Sequence, residues 1–151
     1  MKYSEKISNK LNELLTKTYD AEKGYTLAQD KVENPSVKSF LNDKVQQRYN
    51  FGHELKSEIM EYGQLPEKGG SIKGDVHRTW MNLTATLSND STERILEEVI
   101  RGEKASLEEY NDILNDSDMV LPPSTEKILT KQRDAIKEAL DVAILQEELV
   151  S

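Results

Sequence analysis

The chain has no cysteine among its 151 residues. Disulfide staples, thiolate metal sites and cysteine nucleophiles are therefore excluded, and the absence suits a reducing compartment. Histidine is nearly as scarce: there are two, His53 and His77, and no spacing ties either to a second ligand. No segment approaches the ~18 consecutive apolar residues of a membrane span, and the N-terminal stretch Met1–Lys6 lacks the apolar core of a signal peptide. No glycine-rich phosphate loop is present, since Gly69-Gly70 stands without the rest of such a motif. No serine sits in a nucleophile elbow. Positive charge is the minority, with 20 Lys and Arg against 28 Asp and Glu and a net charge of −8. Without a basic stripe, such a chain repels phosphate backbones and anionic lipid, so neither nucleic acid nor a membrane is expected as partner. The reading is a soluble cytoplasmic protein.

What the chain does have is helical periodicity. Hydrophobic residues make up 36% and charged residues 32%, which suits amphipathic helices with thin apolar stripes and charged outer faces. The length fits a single domain over residues 1–151. A first helix is expected from Ser4, as N-cap, to Glu33, with Ile7, Leu11, Leu14, Thr18, Ala21, Tyr25, Ala28 and Val32 inward. Asn34-Pro35 stops it and caps a second helix running to Tyr62, closed by Gly63. Its stripe is Val37, Phe40, Leu41, Phe51, Leu55, Ile59 and Tyr62, interrupted by Lys44, Gln47 and Arg48. The two form an antiparallel hairpin, because the link between them is too short for anything else.

After a turn-rich loop, a short helix is expected over Ser71–Leu87, with Ile72, Val76, Trp80, Leu83 and Leu87 on one side. The capping box Asp90-Ser91-Thr92-Glu93 then opens a helix reaching Leu114, with Leu96, Val99, Glu103, Ser106, Tyr110 and Ile113 inward. Leu121-Pro122-Pro123 restarts the chain for a last helix, Ser124–Leu149. Its inward residues are read as Ile128, Gln132, Ala135, Ala139, Val142, Gln146 and Leu149. The expected fold class is all-α: an up-and-down bundle of four long helices with a short helix before the third.

Each long helix places a polar residue on its core stripe at comparable height: Thr18, Gln47, Glu103 and Gln132, with Glu22 and Asn50 a turn away. A di-iron or di-manganese carboxylate site is built at such a height. It needs a Glu from each of two helices and a Glu-x-x-His pair from each of the others. The spacing works because residues three apart share a helix face.

The chain resembles the ferritin-like superfamily, and within it a bacterial four-helix-bundle family labelled a domain of unknown function. The resemblance runs from Leu14 to Leu149. It rests on Tyr19-Asp20-Ala21-Glu22-Lys23-Gly24-Tyr25, on Val76-His77-Arg78-Thr79-Trp80-Met81 and on Arg101-Gly102-Glu103. It implies a ferritin-like antiparallel bundle, with metal ligands in relatives such as rubrerythrins at the matched positions. By that resemblance Thr18 stands at the first-helix Glu, with Glu22 a possible substitute. Gln47 and Asn50 stand at one Glu-x-x-His pair, Glu103 at the third-helix Glu, and Gln132 and Ala135 at the last pair.

Neutral amides are poor ligands for two divalent cations and cannot offset their charge in a core. The favoured reading is a metal-free network in which Gln47, Asn50 and Gln132 bond one another and Glu103. Arg48 or Lys44 would supply donors, or Glu103 would take a proton. No cofactor is then expected. The alternative is an iron- or manganese-binding oxidoreductase or storage protein on the reduced ligand set Glu103, Glu22, Gln47 and Gln132. His53 is expected off the core line. The face around Trp80 reads as a lid on the bundle, or as a partner surface with Trp80 and Met81 as anchors. A homodimer is possible, and the leading expectation is a non-enzymatic protein acting through protein contacts.

Overall fold

The computed structural model describes residues 2–69, Trp80 and residues 92–151. Among these residues the chain is all-helical and forms no strand. Its four long helices are α1 (Tyr3–Lys31), α2 (Pro35–Glu61), α3 (Thr92–Leu114) and α4 (Pro123–Val150). The expected short helix over 71–87 lies outside the described residues except for Trp80, as do Asp90 and Ser91 of the expected capping box. No described helix is long and apolar enough to cross a membrane.

Local chemistry sets several of the boundaries. The Asn34 side chain accepts from the N–H groups of Ser36 and Val37 at 3.0 and 3.1 Å, and Pro35 opens α2 where its missing N–H costs nothing. Gly63 ends α2 at φ 75°, a left-handed conformation in which glycine has no Cβ to clash. Ser4 is not the cap of α1: it lies inside the helix, and Lys2 precedes the first turn without a side-chain cap bond.

The inward stripe expected for α1 is buried from Ile7 to Val32. That of α4 needs correcting. Its buried residues are Thr125, Leu129, Gln132, Ile136, Ala139, Leu140 and Ala143, so the true stripe is turned by about one residue, and Leu149 is exposed. The larger apolar side chains Leu129, Ile136 and Leu140 decide which face goes inward, because burial is roughly proportional to apolar area.

Two apolar clusters fix the direction of each helix. One joins Tyr25 and Ala28 of α1, Phe40 and Leu41 of α2, Leu96 and Val99 of α3, and Ala143 of α4. The other joins Ile7 and Leu11, Leu55 and Ile59, Tyr110 and Ile113, and Leu129. Thus α1 and α4 run one way, and α2 and α3 run the other. Neighbouring pairs are α1 with α2, α3 with α4, α1 with α3, and α2 with α4, which leaves α2 and α3 parallel and diagonal across the bundle. Simple up-and-down alternation is therefore not the topology. The chain leaves α2 at one end and begins α3 at the other. The start of that return runs along α1: the Asn12 side chain bonds the backbone of Leu65 and Glu67 at 3.2 and 2.9 Å, and the Tyr19 hydroxyl donates to the Glu67 carbonyl at 3.0 Å.

Trp80 is 4% exposed and belongs to the first cluster. Its ring lies 5.3 Å from that of Tyr25, and a Cβ placed on Gly102 would come within 2.7 Å of it. Gly102 is the seat of this ring. Trp80 is accordingly part of the chain's own core and not an exposed anchor for a partner, while Met81 lies outside the described residues.

Candidate functional site

Between the two clusters lies a polar layer, and Arg48 is at its centre. Its side chain is 2% exposed and that of Glu103 is fully buried. Arg48 sits on α2 and Glu103 on α3, so their pairing spans the diagonal of the bundle. The geometry is two-pronged: Nη2 donates to Oε2 at 2.6 Å and to Oε1 at 2.8 Å, and Nη1 donates to Oε1 at 3.0 Å. The guanidinium carbon lies 5.4 Å from the Phe51 ring centre and 5.5 Å from that of Tyr25. A planar, weakly hydrated cation suits such a position better than an ammonium would.

Burial pushes the Glu103 carboxyl above its ordinary range, and the Arg48 charge is the largest influence opposing it. The Tyr25 hydroxyl faces the same carboxylate without reaching hydrogen-bond geometry. Its pKa is driven well up by burial and then by the Glu103 charge. Tyr110, also buried, is raised mainly by desolvation, and its hydroxyl donates to Gln132 Oε1 at 2.6 Å. Gln132 Nε2 in turn donates to Glu54 Oε1 at 3.2 Å and, more weakly, to the Phe51 carbonyl at 3.4 Å. Glu54 reaches the surface, where Lys131 Nζ donates to Oε2 at 2.8 Å. A cavity of about 10 Å³ touches Thr18, Arg48, Ser106 and Tyr110, room for about one water. Lys17 and Glu109, which also line it, form an ion pair between α1 and α3.

The structure brings together only some of the expected site residues. Glu103 and Gln132 are buried in the layer. Thr18 is buried too, but its hydroxyl donates to the Leu14 carbonyl of its own helix at 2.8 Å. Gln47 is half-buried, and its Oε1 is buried without a partner. Asn50 is exposed and accepts from Gln46 at 3.0 Å, so the expected closed network of Gln47, Asn50 and Gln132 does not form. Glu22 is half-buried and outside the buried set, and Ala135 is also half-buried. His53 is exposed with its ring edge-on to Tyr49, off the core line as its position implies. His77 lies outside the described residues.

The centrality of Arg48 and of the two buried tyrosines, Tyr25 and Tyr110, is what sequence reasoning undervalued. The available signal was the break in the α2 stripe, where Arg48 shares the inward face with Leu41 one way along the helix and with Leu55 the other.

As placed, these side chains do not fit a pair of divalent cations. Both oxygens of Glu103 are engaged by a guanidinium, itself a cation where a metal would need anions. The Gln132 oxygen is taken by Tyr110. Among the described residues, one set of three carboxylates has ligand atoms within 4.8 Å of one another, Glu93, Glu97 and Glu147. It joins the start of α3 to the end of α4, away from the polar layer.

No curated protein matches the chain. One family model matches residues 6–116, which take in nearly all of α1, all of α2 and α3, and the connection between them. The chain belongs to the family described as Domain of unknown function (DUF2383).

Proposed function

We propose that this chain is a ferritin-like bundle without a working di-iron site, acting through protein contacts and not as an enzyme. The helix order supports the ferritin-like part. Two antiparallel hairpins joined by a long return, with the second and third helices parallel, make the one-crossover arrangement of that fold. The observation that carries the functional part is the two-pronged contact of Arg48 with Glu103. A metal centre stabilises a buried carboxylate by charge, and here a side chain of the same protein performs that task. The layer is then a means of fixing the pairing of α2 and α3 across the bundle.

Metal analysis of full-length protein purified without chelators tests this reading. The expected result is iron and manganese well below one per chain, and a melting curve that added ferrous iron leaves unmoved. Stoichiometric metal that is lost in Glu103→Ala would overturn it and favour a metal-binding oxidoreductase or storage role.

A further inference from the structure

The outer face of α2 differs from the outer faces of the other described helices. Between Lys44 and Glu61 its exposed residues are Gln46, Tyr49, Asn50, His53, Ser57 and Met60, and none is a Lys, Arg, Asp or Glu. The exposed residues of α3 are its opposite: Arg94, Glu97, Arg101, Lys104, Glu108 and Asp112. Asp, Glu, Lys and Arg make up 32% of the whole chain, so a four-turn face with none of them among its exposed residues sets α2 apart.

The spacing of this face is that of a packing surface. Gln46, Asn50, His53, Ser57 and Met60 are separated by alternating steps of four and three, the seam of a helix that packs on another helix. The tertiary structure gives α2 its neighbours α1 and α4 and leaves this seam without one among the described residues. Tyr49 is 48% exposed and Met60 57% exposed. The Tyr49 and His53 rings are stacked edge to face at 4.6 Å. The amides of Gln46 and Asn50 bond each other, which lowers the cost of taking them out of water. Lys56, on the same helix, lies with its ammonium over the Tyr19 ring of α1 at 5.3 Å.

We propose that this face of α2 is the contact between two copies of the chain, packed antiparallel across a two-fold axis near His53. The proposal rests on the reading of the chain as a protein that acts by contacts, and it names the surface and the partner. Charge selects the occupant. Two chains that each carry −8 repel one another wherever carboxylates meet, and among the described residues the α2 seam is a face where they do not. Ser57, four residues beyond the axis and exposed, is small enough to receive Tyr49 of the second copy, which lies four residues before it. A two-fold contact is the commonest closed arrangement, and it uses the same patch twice.

Light scattering of the full chain tests this, with the mass followed as concentration rises. The expected mass is twice 17.2 kDa. Tyr49→Glu and Ser57→Glu should each weaken association by roughly 100-fold or more, because the two-fold axis duplicates every added charge, while leaving the helical spectrum unchanged. The absence of cysteine gives a second measurement. His53→Cys should cross-link to a covalent dimer under mild oxidation, and Lys104→Cys on the charged face of α3 should not. A monomer at all concentrations would overturn the proposal, as would a dimer indifferent to both glutamate variants. Either failure leaves the reading of a metal-free contact protein standing. Stoichiometric metal in the wild type would remove that reading whatever the mass.

Discussion

Replacing Arg48 by methionine isolates the energetics of the polar layer. The substitution keeps most of the volume and the packing against Phe51 and Tyr25, but it strands the carboxylate of Glu103, which has no solvent access. Breaking a buried pair from one side costs about 3–5 kcal/mol, a large share of the ~5–15 kcal/mol that a domain has in total. At about 2–4 °C per kcal/mol for a chain of this size, the melting temperature should fall by about 6–20 °C. The loss should depend on pH. Without the opposing charge of Arg48, the Glu103 carboxyl in the folded state lies still further above its unfolded value near 4.5. The folded protein then binds a proton that the unfolded chain has released. Its stability is therefore recovered as pH falls towards the ordinary glutamate range, and lost as pH rises through the folded value. The double variant Arg48→Met with Glu103→Leu should recover most of the loss, since well-packed apolar pairs often replace buried ion pairs at no cost. Urea unfolding followed by circular dichroism, arranged as a double-mutant cycle, measures all of this. A loss below about 1 kcal/mol for Arg48→Met, the scale of an exposed pair, would refute the reasoning, as would a double variant no better than the worse single one.

Two further outcomes are expected. Gly102→Ala gains about 1 kcal/mol of helix propensity, yet its Cβ would meet the Trp80 ring at 2.7 Å; overpacking of about 1–3 kcal/mol should prevail, and fluorescence of this single tryptophan should report a displaced ring. Tyr25 and Tyr110 have folded pKa values above the ordinary 10.0, so the folded chain holds protons that the unfolded chain releases. Stability should fall as pH rises past that value, and the tyrosinate absorbance of these two rings should appear only with the unfolding transition; absorbance developing ahead of unfolding in step with Tyr25→Phe and Tyr110→Phe differences would contradict their burial.

The sequence by itself determined the helices. Asn34-Pro35 and Gly63 mark their own boundaries because their effects are local, and the four-and-three step of Ile7 to Val32 specifies a buried face whatever packs on it. It also presented Glu103 and Gln132 as inward polar residues. The α4 register was harder, because its two stripes lie one residue apart and share Gln132 and Ala139, and it is the larger side chains Leu129, Ile136 and Leu140 that decide between them.

Tertiary structure decided the rest. That α2 and α3 are parallel and diagonal follows from where their ends are buried, not from any local signal. Only that placement brings Arg48 to Glu103 across 55 positions of sequence, and it turns an apparent gap in an apolar stripe into the centre of the layer. It takes Trp80 into the core against Gly102, and it leaves the uncharged seam of α2 facing outward. Helix propensity and periodicity act within a few residues of chain. Charge pairing, burial of a guanidinium and the choice of an outer face depend on which helices become neighbours.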